Sequence, residues 1–284
     1  MNSSNSSAPT TPAPGPEEAA RPFILVPLYI YPTADSWSPL ISAATRHPNQ
    51  TFYVVVNPAN GPGPTPLPDG NYTAALAALS ALANAKLLGY VHCSYGQRPA
   101  PEIIADIGIY RSWVPSIPIS GIFFDESPSD EEHVDYMTNL YGAARSIFSA
   151  DATAAMEPAS SSTSASTSNF ITVNNHGIFP HSAGYFDAAD YLVPFENRAD
   201  EWAGEYVQVN LARLDEGARR KSVVIAHSVQ GWDDYVKILD EVVEKWGFGG
   251  HFLTGVENYD GWCGGWEGYV KLCAGAGKDC EGAR

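Results

Sequence analysis

Eight short, nearly unbroken apolar runs punctuate this chain, and their spacing restricts its fold more than any other feature. They are FILVPLY (Phe23–Tyr29), FYVVVN (Phe52–Asn57), LLGYVH (Leu87–His92), GIFFDE (Gly121–Glu126), FITVNN (Phe170–Asn175), YLVPFE (Tyr191–Glu196), SVVIAH (Ser222–His227) and GHFLTG (Gly250–Gly255). Runs that are continuous rather than alternating belong to strands buried on both faces, as in a parallel sheet. Helical signals fill the intervals. Ala74–Ala85 is made of strong helix formers. Asp130–Phe148 opens on acids and repeats Val134, Met137, Tyr141 and Ala144, and Trp232–Trp246 repeats Tyr235, Ile238, Val242 and Trp246, both at a helical period. A β-α unit repeated eight times in one domain of about 250 residues predicts a (β/α)8 TIM barrel over residues 22–284. The alternative, a doubly wound open sheet, would carry a Gly-rich phosphate turn after its first strand. The segment there, YIYPTADSW, holds no glycine.

In such a barrel the site sits where the strands end. Those ends read Tyr29, Asn57, His92, Asp125-Glu126, Asn174-Asn175, Glu196 and His227. Strand ends are more polar than strand middles in general, so no single position carries weight alone. Carboxylates, however, close two separate strands, and each follows a phenylalanine. A carboxyl against aromatic walls has its pKa raised, which suits a general acid. Two carboxylates converging from different strands are the apparatus of glycoside hydrolysis. Adjacent strand residues face opposite ways, so of Asp125 and Glu126 one is expected to meet the ligand and the other to brace the site. Tyr31, Tyr95, Trp232, Tyr259 and Trp262 fall in loops at the same end and could stack on sugar rings, whereas Trp246, inside a helical repeat, reads as packing. Candidate ligand contacts are therefore Tyr29, Asn57, His92, Tyr95, Asn174, His227, Tyr259 and Trp262.

Other chemistries find less support. The seven histidines form no HExxH pair, His227 begins HSVQG rather than a GxSxG elbow, and no phosphate-binding loop is present. No cofactor or metal is expected; the one metal set the residues leave open is Asp125, Glu126 and a histidine. The formal charge of -16 disfavours nucleic acid and anionic membranes, and favours neutral or cationic ligands. No apolar run reaches the ~18 residues that span a bilayer. The start, MNSSNSSAPTTPAPGPEEAA, reads as a disordered Ser/Pro-rich tether over residues 1–21, and ASSSTSASTSN as a solvated low-complexity loop on the opposite face from the site. Asn-X-Thr/Ser triplets at Asn2, Asn5, Asn49 and Asn71 suit an extracellular or surface-tethered protein. Of the four cysteines, Cys263, Cys273 and Cys280 cluster near the C-terminus; one disulfide is expected among them, with Cys93 a free thiol. A monomer is the default.

Taken in order, FILVPLYIYP, VVVNPANGPG, GYVHCSYGQR, GIFFDE and VPFE resemble the spherulin-4 family of fungi and slime moulds, glycoside hydrolase family 135, related to family 114. The resemblance runs from about Pro22 to Trp266. It implies a secreted or surface-tethered (β/α)8 barrel that cleaves within α-1,4-linked N-acetylgalactosamine, as in fungal galactosaminogalactan. It puts the family's acidic pair on Asp125 and Glu126 and its later acid on Glu196. A retaining reaction follows as the expectation, with Asp125 as nucleophile and Glu196 as acid/base. Cys93 departs from the family, which prefers Thr in that motif. The alternative function is a catalytically silent barrel that binds polysaccharide or builds spore wall.

Overall fold

A computed structural model of the chain describes residues 21–114, 116–149 and 170–275. Residues 1–20 of the expected tether, the Ser-rich segment and Cys280 lie outside the described residues; Arg21, the last residue assigned to the tether, donates to the Ala274 carbonyl. Eight strands, β1 Phe23–Leu28, β2 Phe52–Val56, β3 Ala85–His92, β4 Ile119–Asp125, β5 Ile171–Asn175, β6 Tyr191–Arg198, β7 Ser222–His227 and β8 Gly250–Leu253, form a closed barrel in sequence order. Every neighbouring pair is parallel, and β8 closes on β1 through Phe23 beside Gly250. The TIM-barrel topology predicted from the apolar runs is the one observed.

The outer layer consists of α1 Ser38–Arg46, α2 Gly70–Ser80, α3 Ala100–Trp113, α4 Val134–Ser149, α5 Gly184–Ala188, α6 Glu205–Arg213, α7 Glu216–Arg220, α8 Trp232–Asp240 and α9 Trp266–Cys273. Their starts follow local chemistry. Asp69 caps α2 by accepting from the backbone N–H groups of Asn71 and Tyr72, so that helix begins four residues before the Ala-rich run. Asp130 caps a short 3-10 turn, Glu131–His133, that leads into α4. The helical repeat expected to end at Trp246 is α8 followed by a π-helical turn, Glu241–Lys245. None of the described helices is long and apolar enough to cross a membrane.

The barrel interior is packed, not hollow. At its base Phe23 of β1 meets Tyr53 of β2 and Tyr191 of β6 across the barrel, with both ring centroids 4.7 Å away. These inward rings fix which residues of each strand face the axis. On β1 and β3 alternation carries the inward face up to Tyr29, Tyr90 and His92. On β6 it fails at one place. Pro194 lacks a ladder donor, and the register of β6 against β7 shifts between Leu192 and Phe195. Simple alternation from Tyr191 would turn Glu196 out; the irregularity turns Phe195 out against Trp202, 5.2 Å between ring centroids, and Glu196 in.

Among the described residues no disulfide joins the C-terminal cysteines; Cys280, the third of the trio expected to hold one, lies outside them. Cys263 and Cys273 are both free thiols, as is buried Cys93. Cys263 lies in the preceding loop and Cys273 is the last of the eight residues of α9, a helix with a rise of about 12 Å. Cys263 instead faces the Tyr235 hydroxyl at 3.3 Å.

Candidate active site

The three predicted acids lie at the same end of the barrel, at the C-terminal ends of β4 and β6. Two of them meet. Asp125 Oδ2 accepts from the Tyr90 hydroxyl at 2.8 Å, and Oδ1 accepts from Asn175 Nδ2 at 2.7 Å. The same Asn175 nitrogen donates to Glu196 Oε2 at 2.5 Å, and the Tyr259 hydroxyl donates to Glu196 Oε1 at 2.7 Å. The two carboxylate oxygens that share Nδ2 are thus no more than 5.2 Å apart, the 2.7 and 2.5 Å bonds laid end to end. Tyr29 closes the floor between the two phenols, its ring centroid 5.9 Å from Tyr90 and 6.0 Å from Tyr259.

The electrostatics follow from this enclosure. Burial, then the charge of Asp125, raises the Glu196 carboxyl above its ordinary value, against the opposing bonds from Asn175 and Tyr259. Burial and the adjacent carboxylates also push the Tyr90 and Tyr259 phenols far up, so both remain hydrogen-bond donors at any working pH. The site therefore offers one carboxyl suited to holding a proton, a second carboxylate within reach, and phenols that keep their protons.

Glu126 takes a different position. Its backbone is left-handed, φ 49°, and its carbonyl accepts from Tyr95 N at 2.6 Å. The side chain is 43% exposed on the rim, 4.0 Å from His92 Nδ1. Tyr95 is a further rim group, 62% exposed. His227, held by Ser228 Oγ at 3.0 Å, has its ring 6.4 Å from that of Tyr259, and burial lowers its pKa.

Three other candidates are used elsewhere. Asn174 does not reach the site: it is fully buried behind β5 and donates to His176 Nε2 at 2.8 Å. Thr172, two residues earlier on the same face, bonds Arg145 of α4 and Asp190, so alternation sends Asn174 outward and Asn175 inward. Asn57 Oδ1 accepts from Gly61 N at 2.8 Å and ties its own Pro/Gly loop. Trp262 donates to the Ser36 carbonyl at 2.6 Å and lies 4.8 Å from Trp266, bracing the last loop against the first. Of the exposed aromatics, Tyr31 is engaged with Asp69 and Asn71, and Trp232 stacks on Tyr235. Sequence reasoning missed Tyr90, which sits mid-run in β3 and reads as core. It noted Asn175 but preferred its neighbour. A parity count along β5 anchored on Thr172 was the one signal that could have chosen between them. A cleft of about 780 Å³ between Phe179 and Tyr206 lies beside α6 and is lined by neither carboxylate.

Known proteins share this architecture. The crystal structure of Aspergillus clavatus Sph3 in complex with GalNAc superposes with a TM-score of 0.75 at 28% identity, covering 90% of this chain and 98% of that one. The chitinase RmChi1 from Rhizomucor miehei, with a TM-score of 0.55 at 10% identity over 88% of this chain and 98% of its own, shares the barrel fold. Spherulin-4 of Physarum polycephalum is 37% identical over 123 residues, 43% of this chain and only 35% of that relative. The family model for spherulation-specific family 4 matches residues 23–273, nearly the whole described barrel, and the chain belongs to that family.

Proposed function

We propose that this protein is a glycoside hydrolase that cleaves within α-1,4-linked N-acetylgalactosamine chains with retention of anomeric configuration. The observation that carries the reading is the pairing of Asp125 from β4 with Glu196 from β6, their nearest oxygens within 5.2 Å. A retaining pair stands about 5–5.5 Å apart, whereas an inverting pair needs about 6.5–9.5 Å to admit water. The sugar is suggested by the Sph3 structure, solved with GalNAc.

The roles follow from the surroundings of each acid. Glu196, whose carboxyl is raised by burial and by Asp125, holds the proton and serves as acid/base. Asp125 attacks the anomeric carbon. As that bond forms, the glycosidic C–O bond breaks and the leaving oxygen takes the Glu196 proton. In the second step Glu196 accepts a proton from water, whose oxygen displaces Asp125 and regenerates both groups. An α-linked 2-acetamido sugar carries its amide on the same side as the leaving oxygen, so that amide cannot attack from behind and the protein must supply the nucleophile. Tyr29 and Tyr259 supply an aromatic floor, and Glu126, His92, Tyr95 and His227 a polar rim for sugar hydroxyl and amide groups.

The acidic balance of the chain, -16 overall, favours neutral or partly deacetylated, cationic polymers over polyuronates. Under this reading the protein works outside the cell, where the exposed Asn49 is open to glycosylation and the exposed Asn71 would first release its bond to the Tyr31 hydroxyl. The test is a reducing-end assay on purified galactosaminogalactan. Asp125→Asn and Glu196→Gln, both nearly isosteric, are each expected to lower turnover at least about 10³-fold while leaving the fold intact. Polymer that is bound but not cut by the unaltered protein would overturn the reading in favour of a silent polysaccharide-binding barrel.

A further inference from the structure

Asn175 is stitched to both acid-bearing strands. Its side-chain nitrogen donates to Asp125 and Glu196 together. Its orientation is set independently, because Oδ1 accepts from Gly177 N at 3.1 Å. With the amide oxygen committed to a backbone donor, the NH₂ group must face the acids. The backbone repeats the pattern. The Asn175 carbonyl accepts from Ser127 N at 2.9 Å, just beyond Asp125-Glu126, and the Gly177 carbonyl accepts from Glu196 N at 3.0 Å. Gly177 supports this turn with φ 68°, a conformation that glycine adopts without steric cost.

An amide nitrogen carries two hydrogens and no acceptor. Each hydrogen here meets one acid. Asp125 Oδ1 and Glu196 Oε2 are therefore both acceptors, and neither is where the acid/base proton resides. That proton is left to Glu196 Oε1, whose partner is the Tyr259 hydroxyl, a group able to donate or accept.

We propose that Asn175 is the positioning residue of the acid pair: it clamps Asp125 and Glu196 on one nitrogen, the two bonded oxygens no more than 5.2 Å apart, and confines the exchangeable proton of Glu196 to Oε1, beside Tyr259. The proposal rests on the hydrolase reading for its catalytic meaning, but the clamp itself can be tested without turnover. The Asn175 bond holds down the pKa of Glu196, against burial and the charge of Asp125, which raise it. Removing the bond lets that pKa climb further. If Glu196 is the general acid, its proton is then lost at higher pH, and the alkaline limb of kcat/KM moves up.

The experiment compares the full chain with Asn175→Ala and Asn175→Asp in two measurements. The first is the pH profile of kcat/KM on the polymer. Asn175→Ala is expected to lose about 10²-fold or more through misplacement of the pair, with its alkaline limb raised by about one pH unit. Asn175→Asp is expected to keep residual activity only at acid pH, where a protonated Asp can still donate. The second is thermal unfolding from pH 4 to pH 8. An absent donor matters most when both acids are charged, so the Tm gap between the unaltered protein and Asn175→Ala is expected to widen as pH rises. A constant gap together with an unmoved limb would overturn the proposal, since a purely structural amide would cost the same at every pH. Should the Ala variant not fold, the same pair of readings on Asn175→Asp decides. An unaltered protein that cuts no polymer yet shows the widening gap would sink the hydrolase reading and leave the clamp.

Discussion

Among the described residues six non-glycine positions hold a left-handed backbone, and each follows a strand at the end that bears the site: Asn60 after β2, Ser94 and Tyr95 after β3, Glu126 after β4, Ser228 after β7 and Tyr259 after β8. Such conformations cost of order 1 kcal/mol or more each and persist where surrounding bonds over-determine them. Here the bonds are visible: Cys93 N donates to the Asp125 carbonyl at 2.8 Å and Tyr95 N to the Glu126 carbonyl at 2.6 Å, locking two strained loops together. Glu126 has no local reason to be a glutamate, since Asn or Gly would relax at φ 49°. An exposed carboxylate on the rim, 4.0 Å from His92 Nδ1, fits a ligand contact. Glu126→Asn is therefore expected to raise stability by about 0.5–1 kcal/mol and to lower kcat/KM, as read from urea unfolding and the reducing-end assay. A variant less stable than the parent would show that the carboxylate itself braces the rim.

Two glycines explain how the elements beneath the site approach one another. A Cβ on Gly89 of β3 would meet the Tyr110 ring at 2.7 Å. The bare position lets α3 bring Tyr110 in, where its hydroxyl bonds the Val56 carbonyl and the Tyr90 amide. A Cβ on Gly121 of β4 would stand 2.3 Å from the Ile171 carbonyl oxygen and 2.8 Å from Leu88. That first clash is with backbone, which cannot swing aside as a side chain can. Gly121→Ala must therefore push β4 from β5, the strands that carry Asp125 and Asn175. It is expected to cost about 2–3 kcal/mol, within the range for overpacking a core, and to weaken catalysis beyond that loss of stability. Urea midpoints and kcat/KM on the folded fraction check both. A stable, fully active Gly121→Ala protein would mean that the pair tolerates a shifted β4.

Across the whole molecule, two histidines are buried as neutral groups. Burial lowers His251, on β8, to about 3 and His176, after β5, to about 4. His251 Nδ1 pairs with the Tyr269 hydroxyl at 2.7 Å. The unfolded chain takes up a proton at each below about pH 6.5, while the fold resists, so stability present above that pH is lost as pH falls toward the folded values. By pH 5 the loss is about 2 kcal/mol for each histidine. Glu196 acts in the opposite sense: its raised carboxyl favours the fold at low pH and disfavours it once ionised. Urea unfolding at fixed ionic strength is expected to show stability falling from pH 7 to pH 5. His251→Gln, which keeps an acceptor for Tyr269, is expected to remove about half of that slope. A slope left intact in the variant would show that His251 is free to charge in the fold.

What the sequence by itself determined was the repeat and the site's end of the barrel. Burial on both faces leaves a continuous apolar run, and a run is local, so eight strands and the acids at the ends of β4 and β6 could be read directly. The tertiary structure decided which way those ends point. Asn174 and Asn175 are chemically identical, and the inward one is chosen by the alternation of β5, fixed by Thr172 against Arg145 and Asp190. Glu196 faces inward because β6 changes register against β7 around Pro194, an irregularity that belongs to the pair of strands and to neither alone. Tyr90 reads as core until the closed barrel brings Asp125 to within 2.8 Å of its hydroxyl. Cys263 and Cys273 read as a cluster, yet in the folded barrel both are free thiols, Cys263 facing the Tyr235 hydroxyl. Side-chain identity is written residue by residue, but facing and distance arise from pairing between strands, and only the folded barrel supplies that.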